Sequence, residues 1–518
     1  MNLRKYASLF FLFFVSFGIL AQDFPLDFSI GEKYNDRYKY SNLLTISNDG
    51  KGGTFLVRSY FSGVILKPKG YVIEHYDANM QLINEYNYKL KNANLVDGYV
   101  ANGQIYLLFL DYDYNALAYE YSVHRSPLSE MNFTKETLLR VASEEVDNPL
   151  DKNYYNRNFS SGFTTSVLFN DKKNAFVIST HFKKGKTNKH VIHLFNAGLQ
   201  KVVEHDFSAE VEEKNYAFEN VAFSKDLKEA YIIGKAYFKK KRFLAKERKF
   251  QYELVKVSPK GAQTQTFDDP GKFPEALMPI IKGNELLCVG FYANRKDNRY
   301  NGLAYFNINP ETLSINTKKY SAFSDQFMVD KFGRGDDKVI KDLVFKNVHI
   351  SNNGSIHFNA EEYFSTSSIQ SNSSGGRLHV TRYHHNDIVS AKLSSDGDML
   401  WARNINKAEV TQGDGAYASY SSYTKDGNTY FFISTATENP QLLSGDRLLF
   451  KQGLSRNRNI FVIRLDAQGH IAYKKLIDVK EARLPLMVSK PLLNIKSNEI
   501  VFYAKRGSKK QLVKVFIQ

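Results

Sequence analysis

Three observations predict an all-β fold for this 518-residue chain. Short apolar stretches recur in pairs around turns rich in Asn, Asp and Gly, residues that tolerate positive φ and bond their own backbone. Aromatic residues make up 14% of the chain, nearly all of them Tyr and Phe, as suits pleated, half-buried surfaces. Segments with helical periodicity are almost absent, and 208–214 is the one short helical turn expected.

The elements follow in order. Strands here called a and b join 43–46 to 54–57, 95–100 to 105–110, 165–169 to 175–179, and 220–223 to 230–234. Four further a–b turns fall at 282–284, 351–354, 424–427 and 496–498. A second hairpin, strands c and d, follows each of the first seven. The first joins 71–76 to 81–86, and the others turn at 126–129, 196–198, 258–261, 309–311, 394–397 and 466–469. Alternation of apolar and polar residues is visible in 460–465 and 470–476. The eighth unit has its b strand at 500–503 and its c strand at 511–517, and then the sequence stops without a d strand. Segment 24–30, ahead of the first a strand, carries a pattern suited to fill that place.

Repeated four-strand units of this kind predict a single β-propeller of about eight blades, closed by the N-terminal strand joining the C-terminal blade. Seven blades would follow if one hairpin is misread, and tandem β-sandwiches are the other arrangement. The units exceed the ~40–45 residues of compact propeller repeats, with the excess in b–c and d–a connections. The repeat logic resembles the β-propeller superfamily, without the Gly-His and Trp-Asp signatures of WD40 blades; Trp401 is the one tryptophan. The stretch 387–401, Asp-Ile-Val-Ser-Ala-Lys-Leu-Ser-Ser-Asp-Gly-Asp-Met-Leu-Trp, is similar to uncharacterised exported propeller proteins of Bacteroidetes-type bacteria. That resemblance covers the repeat pattern and carries no activity.

Residues 1–21 have the layout of a secretory signal peptide: Arg4 and Lys5, an uncharged apolar run over 6–20, and the small residue Ala21. The run is shorter than the ~20 residues of a membrane-spanning helix. Residues 22–518 are then one exported domain with no later transmembrane helix, in the periplasm, on the outer surface or secreted. The many Lys and Arg along the strands argue against an outer-membrane barrel. The single cysteine, Cys288, lies in the apolar strand 285–290, where a buried, inert thiol is expected. One cysteine allows no internal disulfide, so stability rests on core burial, for which 43% hydrophobic residues suffice.

The net charge of +16 points to anionic partners and says little about fold. In a four-stranded blade, b–c and d–a connections share one face of the disc. The basic residues gather in the b–c connections: Lys183 and Lys184; Lys239, Lys240, Lys241 and Arg242; Arg295 and Arg299; Arg377 and Arg382. Lys186, Lys189, Arg447, Arg458, Lys505 and Lys510 belong to the same set, and the second connection, at Asp111 and Asp113, is the acidic exception. A focused positive face would attract polyanions and hold phosphate, sulfate or uronate groups. Solvated lysines that keep long hairpins soluble are the plainer account. An anionic polysaccharide or other cell-envelope component, a lipid headgroup, or a partner protein would be the contact; export makes nucleic acid less natural.

No cofactor is implied, and no metal site is assigned. The Ser-, Asn-, Gly- and His-rich insert 365–386 reads as a flexible loop, and His379, His384 and His385 lack a carboxylate or thiol at a ligand spacing. Asp111, Asp113 and Asn115 open like a calcium loop, but Ala116 and Ser122 occupy the positions of its glycine and glutamate. His349 and His357 flank a turn and read as strand histidines. No Gly-x-Ser-x-Gly, His-Glu-x-x-His or phosphate-cradling glycine loop is present. The first functional expectation is a non-enzymatic binding or scaffold protein. The alternative is a carbohydrate-active hydrolase or lyase with paired carboxylates in a central channel.

Overall fold

The computed structural model describes residues 24–518 apart from 64–65, 92, 148–161, 197, 210–213, 239–249, 268, 295–298, 334–339, 341, 372–376, 414, 437, 444–446 and 454–457. The expected signal peptide lies outside the described residues.

The strands form eight antiparallel sheets, each with spatial order a-b-c-d. Sheet 1 comprises Tyr40–Asn48, Thr54–Ser62, Lys67–Tyr76 and Leu82–Tyr88. Sheet 2 comprises Asn94–Ala101, Gln104–Asp113, Ala118–Pro127 and Thr134–Ala142. Sheet 3 is Phe163–Phe169, Ala175–Lys184, Thr187–Asn196 and Lys201–Asp206. Sheet 4 is Lys214–Phe223, Ala230–Phe238, Phe250–Ser258 and Gly261–Thr266. Sheet 5 runs Lys272–Lys282, Glu285–Asn294, Gly302–Ile308 and Ile315–Ala322. Sheet 6 runs Leu343–Ile350, Ile356–Ser371, Arg377–Leu393 and Met399–Thr411. Sheet 7 has Tyr420–Lys425, Asn428–Ala436, Arg458–Leu465 and Ile471–Ile477. In sheet 8, Leu492–Asn494, Glu499–Arg506 and Lys509–Ile517 are strands a to c, and the N-terminal Leu26–Ile30 pairs with strand c as the fourth strand. Its register runs from Leu26 opposite Ile517 to Ile30 opposite Val513.

The apolar runs of the b and c strands are explained by burial on both faces. Successive residues of a strand point to opposite faces. Leu107 therefore enters the core shared with sheet 1, and Leu108 the core shared with sheet 3. Val177 and Ile178, Ile232 and Ile233, Leu286 and Leu287, and Phe431 and Phe432 divide in the same way. Each sheet packs on the next. The eighth packs on the first through Leu56, Tyr76, Val501 and Leu512.

Three features depart from expectation, and one expectation falls largely on residues outside the described ones. Helix α1, Asp325–Phe332, lies between sheets 5 and 6, and a short helix α2, Val479–Ala482, follows sheet 7. Residues 365–371 and 377–386 continue strands b and c of sheet 6, so most of the expected flexible loop is paired ribbon. The expected helical turn at 208–214 lies partly outside the described residues, and Lys214 already opens a strand. The sheet 7 b–c connection also contributes Gln441–Leu442 and Leu448–Lys451, the latter parallel to strand d of sheet 6.

Candidate binding face and buried charge networks

Lys183 and Lys184 end strand b of sheet 3, and Lys186 sits in the tight turn to strand c; all three are exposed. The turn is anchored from below. The Asp147 carboxylate accepts the Gly185 N–H at 3.0 Å, and the Asp147 N–H donates to the Lys183 carbonyl at 2.6 Å. Lys184 Nζ donates to the Val146 carbonyl at 3.4 Å. A basic hairpin tip held this way needs little ordering when it binds.

The other expected site residues divide. Arg299 is exposed and lies just before strand c of sheet 5. Arg377 opens strand c of sheet 6, and Arg382 is half-buried, donating to Ser368 Oγ at 3.0 Å. These positions share the b–c end of their sheets. Lys239, Lys240, Lys241, Arg242 and Arg295 lie outside the described residues.

Other cations counted toward that face are structural. Lys510 is fully buried and donates to Glu74 Oε1 at 3.0 Å and to Glu85. Lys505 is paired with Asp36. Arg58 completes this network between sheets 8 and 1: its Nη1 lies 2.8 Å from Asp36, and its Nη2 bonds Glu74. Burial pushes the Asp36 carboxyl up, but Arg58 and Lys505 outweigh it and hold the group below its ordinary value. Glu74 is lowered for the same reason, against its burial, by Arg58 and Lys510. Arg447 donates to the Lys331 carbonyl and Arg458 to the Tyr417 carbonyl, at 2.8 and 3.0 Å.

A second buried network lies within sheet 6. Glu361 accepts Lys407 Nζ at 3.1 Å, Ser419 Oγ at 2.8 Å and Lys346 Nζ at 3.0 Å, with His385 Nδ1 at 3.3 Å. Burial opposes ionisation of Glu361, but Lys407 and the other donors outweigh it and lower the group. Glu409, beside Lys407, is raised because its burial outweighs that lysine. Neither network was signalled by the sequence, because its members come from strands far apart in the chain.

A third set of cations joins neighbouring sheets at the opposite end. Lys256, Lys392 and Lys514 stand on the c strands of sheets 4, 6 and 8. They donate to the carbonyls of Pro310, Ala467 and Ala78 at 2.8, 3.1 and 3.0 Å, each in the c–d turn of the next sheet.

The remaining candidates are ordinary. His384 stacks on Phe364, and His385 bonds Glu361. No group of three or more His, Cys, Asp or Glu that would hold a metal occurs among the described residues. The Asp113 carboxylate accepts the N–H groups of Asn115 and Ala116, closing its own turn. His349 and His357 are paired strand residues, and burial lowers His357 to about 4. Cys288 is buried, which pushes its thiol up. No helix among the described residues is long and apolar enough to cross a membrane.

No family model and no curated protein matches the sequence. Among solved structures, the chain is similar to the β-propeller domain of the Trilobed protease from Pyrococcus furiosus, at 8% identity and TM-score 0.37, over 86% of this chain and 98% of that one. It is similar to prolyl oligopeptidase B from Galerina marginata at 10% identity and TM-score 0.38, over 92% of this chain and 56% of that longer one. Polysaccharide lyase Uly1 is similar at 11% identity and TM-score 0.36, over 92% and 89%. The chain resembles β-propeller domains and matches no characterised family.

Proposed function

We propose that the eight sheets are blades of one ring, closed where the N-terminal strand completes sheet 8. The protein is then an exported, non-enzymatic binding or scaffold protein that contacts an anionic glycan or lipid headgroup through its b–c face. The observation that carries this reading is the anchored, exposed tip of Lys183, Lys184 and Lys186. Arg299 and Arg382 emerge at the same end of their sheets. The lysines of the c–d end are by contrast partly used to join sheets.

The test is chromatography on immobilised heparin across a salt gradient. Reversing Lys183, Lys184 and Lys186 to Glu should weaken retention on the order of tenfold, as expected for lost charge-assisted contacts. Reversing the exposed Lys225, Lys228 and Lys260, at the a–b and c–d end, changes net charge equally and should have a smaller effect. Equal effects of the two sets would refute a focused face.

One observation favours the alternative of a carbohydrate-active hydrolase or lyase. The register of strand a skips one residue against strand b in sheets 1, 2, 4, 5 and 6, and in sheets 4 and 5 the skipped residues are the carboxylates Glu219 and Glu275. Bulges of this kind re-aim side chains next to active sites. The Tyr252 hydroxyl, with one proton to give, lies 2.8 Å from Glu219 Oε2 and 3.0 Å from the Glu275 carbonyl oxygen. Polymers recovered after incubation with the protein should keep their length. Shortening that Glu219→Gln abolishes would replace the binding reading with the enzymatic one.

A further inference from the structure

Strands b and c of sheet 6 run far past their neighbours. Strand a stops pairing with b at Leu343 opposite Glu362, and strand d stops pairing with c at Tyr383 opposite Thr411. The b–c pairing itself continues to Ser371 opposite Arg377. Residues 366–371 and 377–382 therefore project about 20 Å as a ribbon of two strands, at ~3.3 Å per residue. Among the described residues neither outer edge has a strand beside it.

Such a ribbon lacks the usual means of standing alone, since two strands without a hydrophobic face are marginal in water. Its base is braced by Phe364 stacked on His384 with centroids 4.4 Å apart, and cross-strand bonds from Arg382 to Ser368 and between the Ser367 and Thr381 hydroxyls tie its two strands to each other. Further out, Ile369 and Leu378 are 57% and 60% exposed. They lie on opposite faces, because Ile369 faces His379 across the pair and Gln370 faces Leu378. The edges have little protection: the paired segments 366–371 and 377–382 contain no proline and no lysine, no register shift occurs between them, and Arg377 and Arg382 are their charged residues.

We propose that this ribbon is completed by a third strand, an extended acidic segment of another protein that pairs along one of its open edges. Charge selects this occupant. Residues 363–386 contain two arginines, three histidines and no Asp or Glu. A second copy of the ribbon would bring like charges edge to edge, whereas alternating Glu residues would complement them.

The probe is a synthetic octapeptide of alternating Glu and Val, with its Lys-Val counterpart as control, added to the full chain. Hydrogen exchange should show new protection of backbone amides in 366–371 or 377–382 with the acidic peptide. The basic peptide should bind at least tenfold more weakly. Replacing 366–382 by an Asn-Gly turn should abolish binding. Should that variant fail to fold, the combination R377S/H379S/R382S leaves the Phe364–His384 stack in place, keeps the ribbon and should erase the preference for Glu over Lys. No ribbon protection at millimolar peptide, or equal binding of both peptides, overturns the proposal. Ribbon-dependent dimerisation of the chain alone in sedimentation also overturns it, in favour of self-pairing.

Discussion

His357 shows how much a single buried side chain contributes to pH response. It is 4% exposed, packed beside Trp401, and neither ring nitrogen has a hydrogen-bond partner among the described residues. Burial, with Lys392 nearby, lowers it to about 4. An unfolded histidine titrates near 6.5. Between those values the unfolded chain binds the proton and the folded chain does not, so stability falls as pH drops from about 6.5 to about 4. Replacing His357 by Leu should flatten that acid limb, measured as the urea midpoint at pH 7 and pH 5. An unchanged difference between the two pH values would show that His357 is not a source of the slope. The sequence placed this residue correctly as a strand histidine. It gave no sign of the charge networks, since Arg58, Asp36, Glu74, Lys505 and Lys510 meet only once sheets 8 and 1 are packed together.

Hairpins were the legible elements, and connections were not. Every expected a–b and c–d turn lies at or beside an observed one, because Asn, Asp and Gly act locally and need no tertiary context. The alternation of strand residues likewise predicts which faces are buried. The long connections obey no such rule. Helix α1 escaped detection because its eight residues, Asp-Gln-Phe-Met-Val-Asp-Lys-Phe, are too few for a clear period. Its signal is at its ends: Ser324 Oγ accepts the Phe327 N–H at 3.2 Å, and Gly333 follows with φ of 68°. The helix then sets Asp330 against Arg403, at 2.6 Å, and Lys331 against Asp387, at 2.7 Å. Ser324→Ala should cost about 1 kcal/mol in chemical denaturation, the usual worth of a cap. Ser324→Asp, which can accept the same N–H, should lose much less; equal losses would show that the cap is not what the serine provides. The Ser-rich ribbon was misjudged for a related reason. Serine suits linkers and solvent-facing strands alike, so composition alone does not separate a loop from an unaccompanied pair of strands.

At the scale of the whole molecule, the join between the first and last sheets is the distinctive contact. It has three parts that act together. The Leu26–Ile30 strand covers the outer edge of Val513–Ile517, and Tyr34 and Asn35 pair with Lys510 and Lys509. Asp36, next in the chain, inserts its carboxylate between Arg58 and Lys505. Lys514 then reaches the Ala78 carbonyl of sheet 1. Removing residues 24–36 therefore does more than shorten the chain. It exposes the unpaired backbone edge of Lys509–Ile517, which invites pairing with other molecules. It also leaves Arg58 facing Glu74 without its second carboxylate, and unbalanced buried charge of this kind typically costs about 3–5 kcal/mol. The shortened chain should melt at lower temperature and associate as concentration rises, seen by light scattering. A peptide spanning 24–36, added in excess, should restore both properties by refilling the edge. The same peptide with Asp36 replaced by Asn should restore the edge and suppress association, yet recover less of the thermal stability. If the shortened chain matches the full one in both measurements, the N-terminal strand is an appendage, and sheets 8 and 1 stay packed without it.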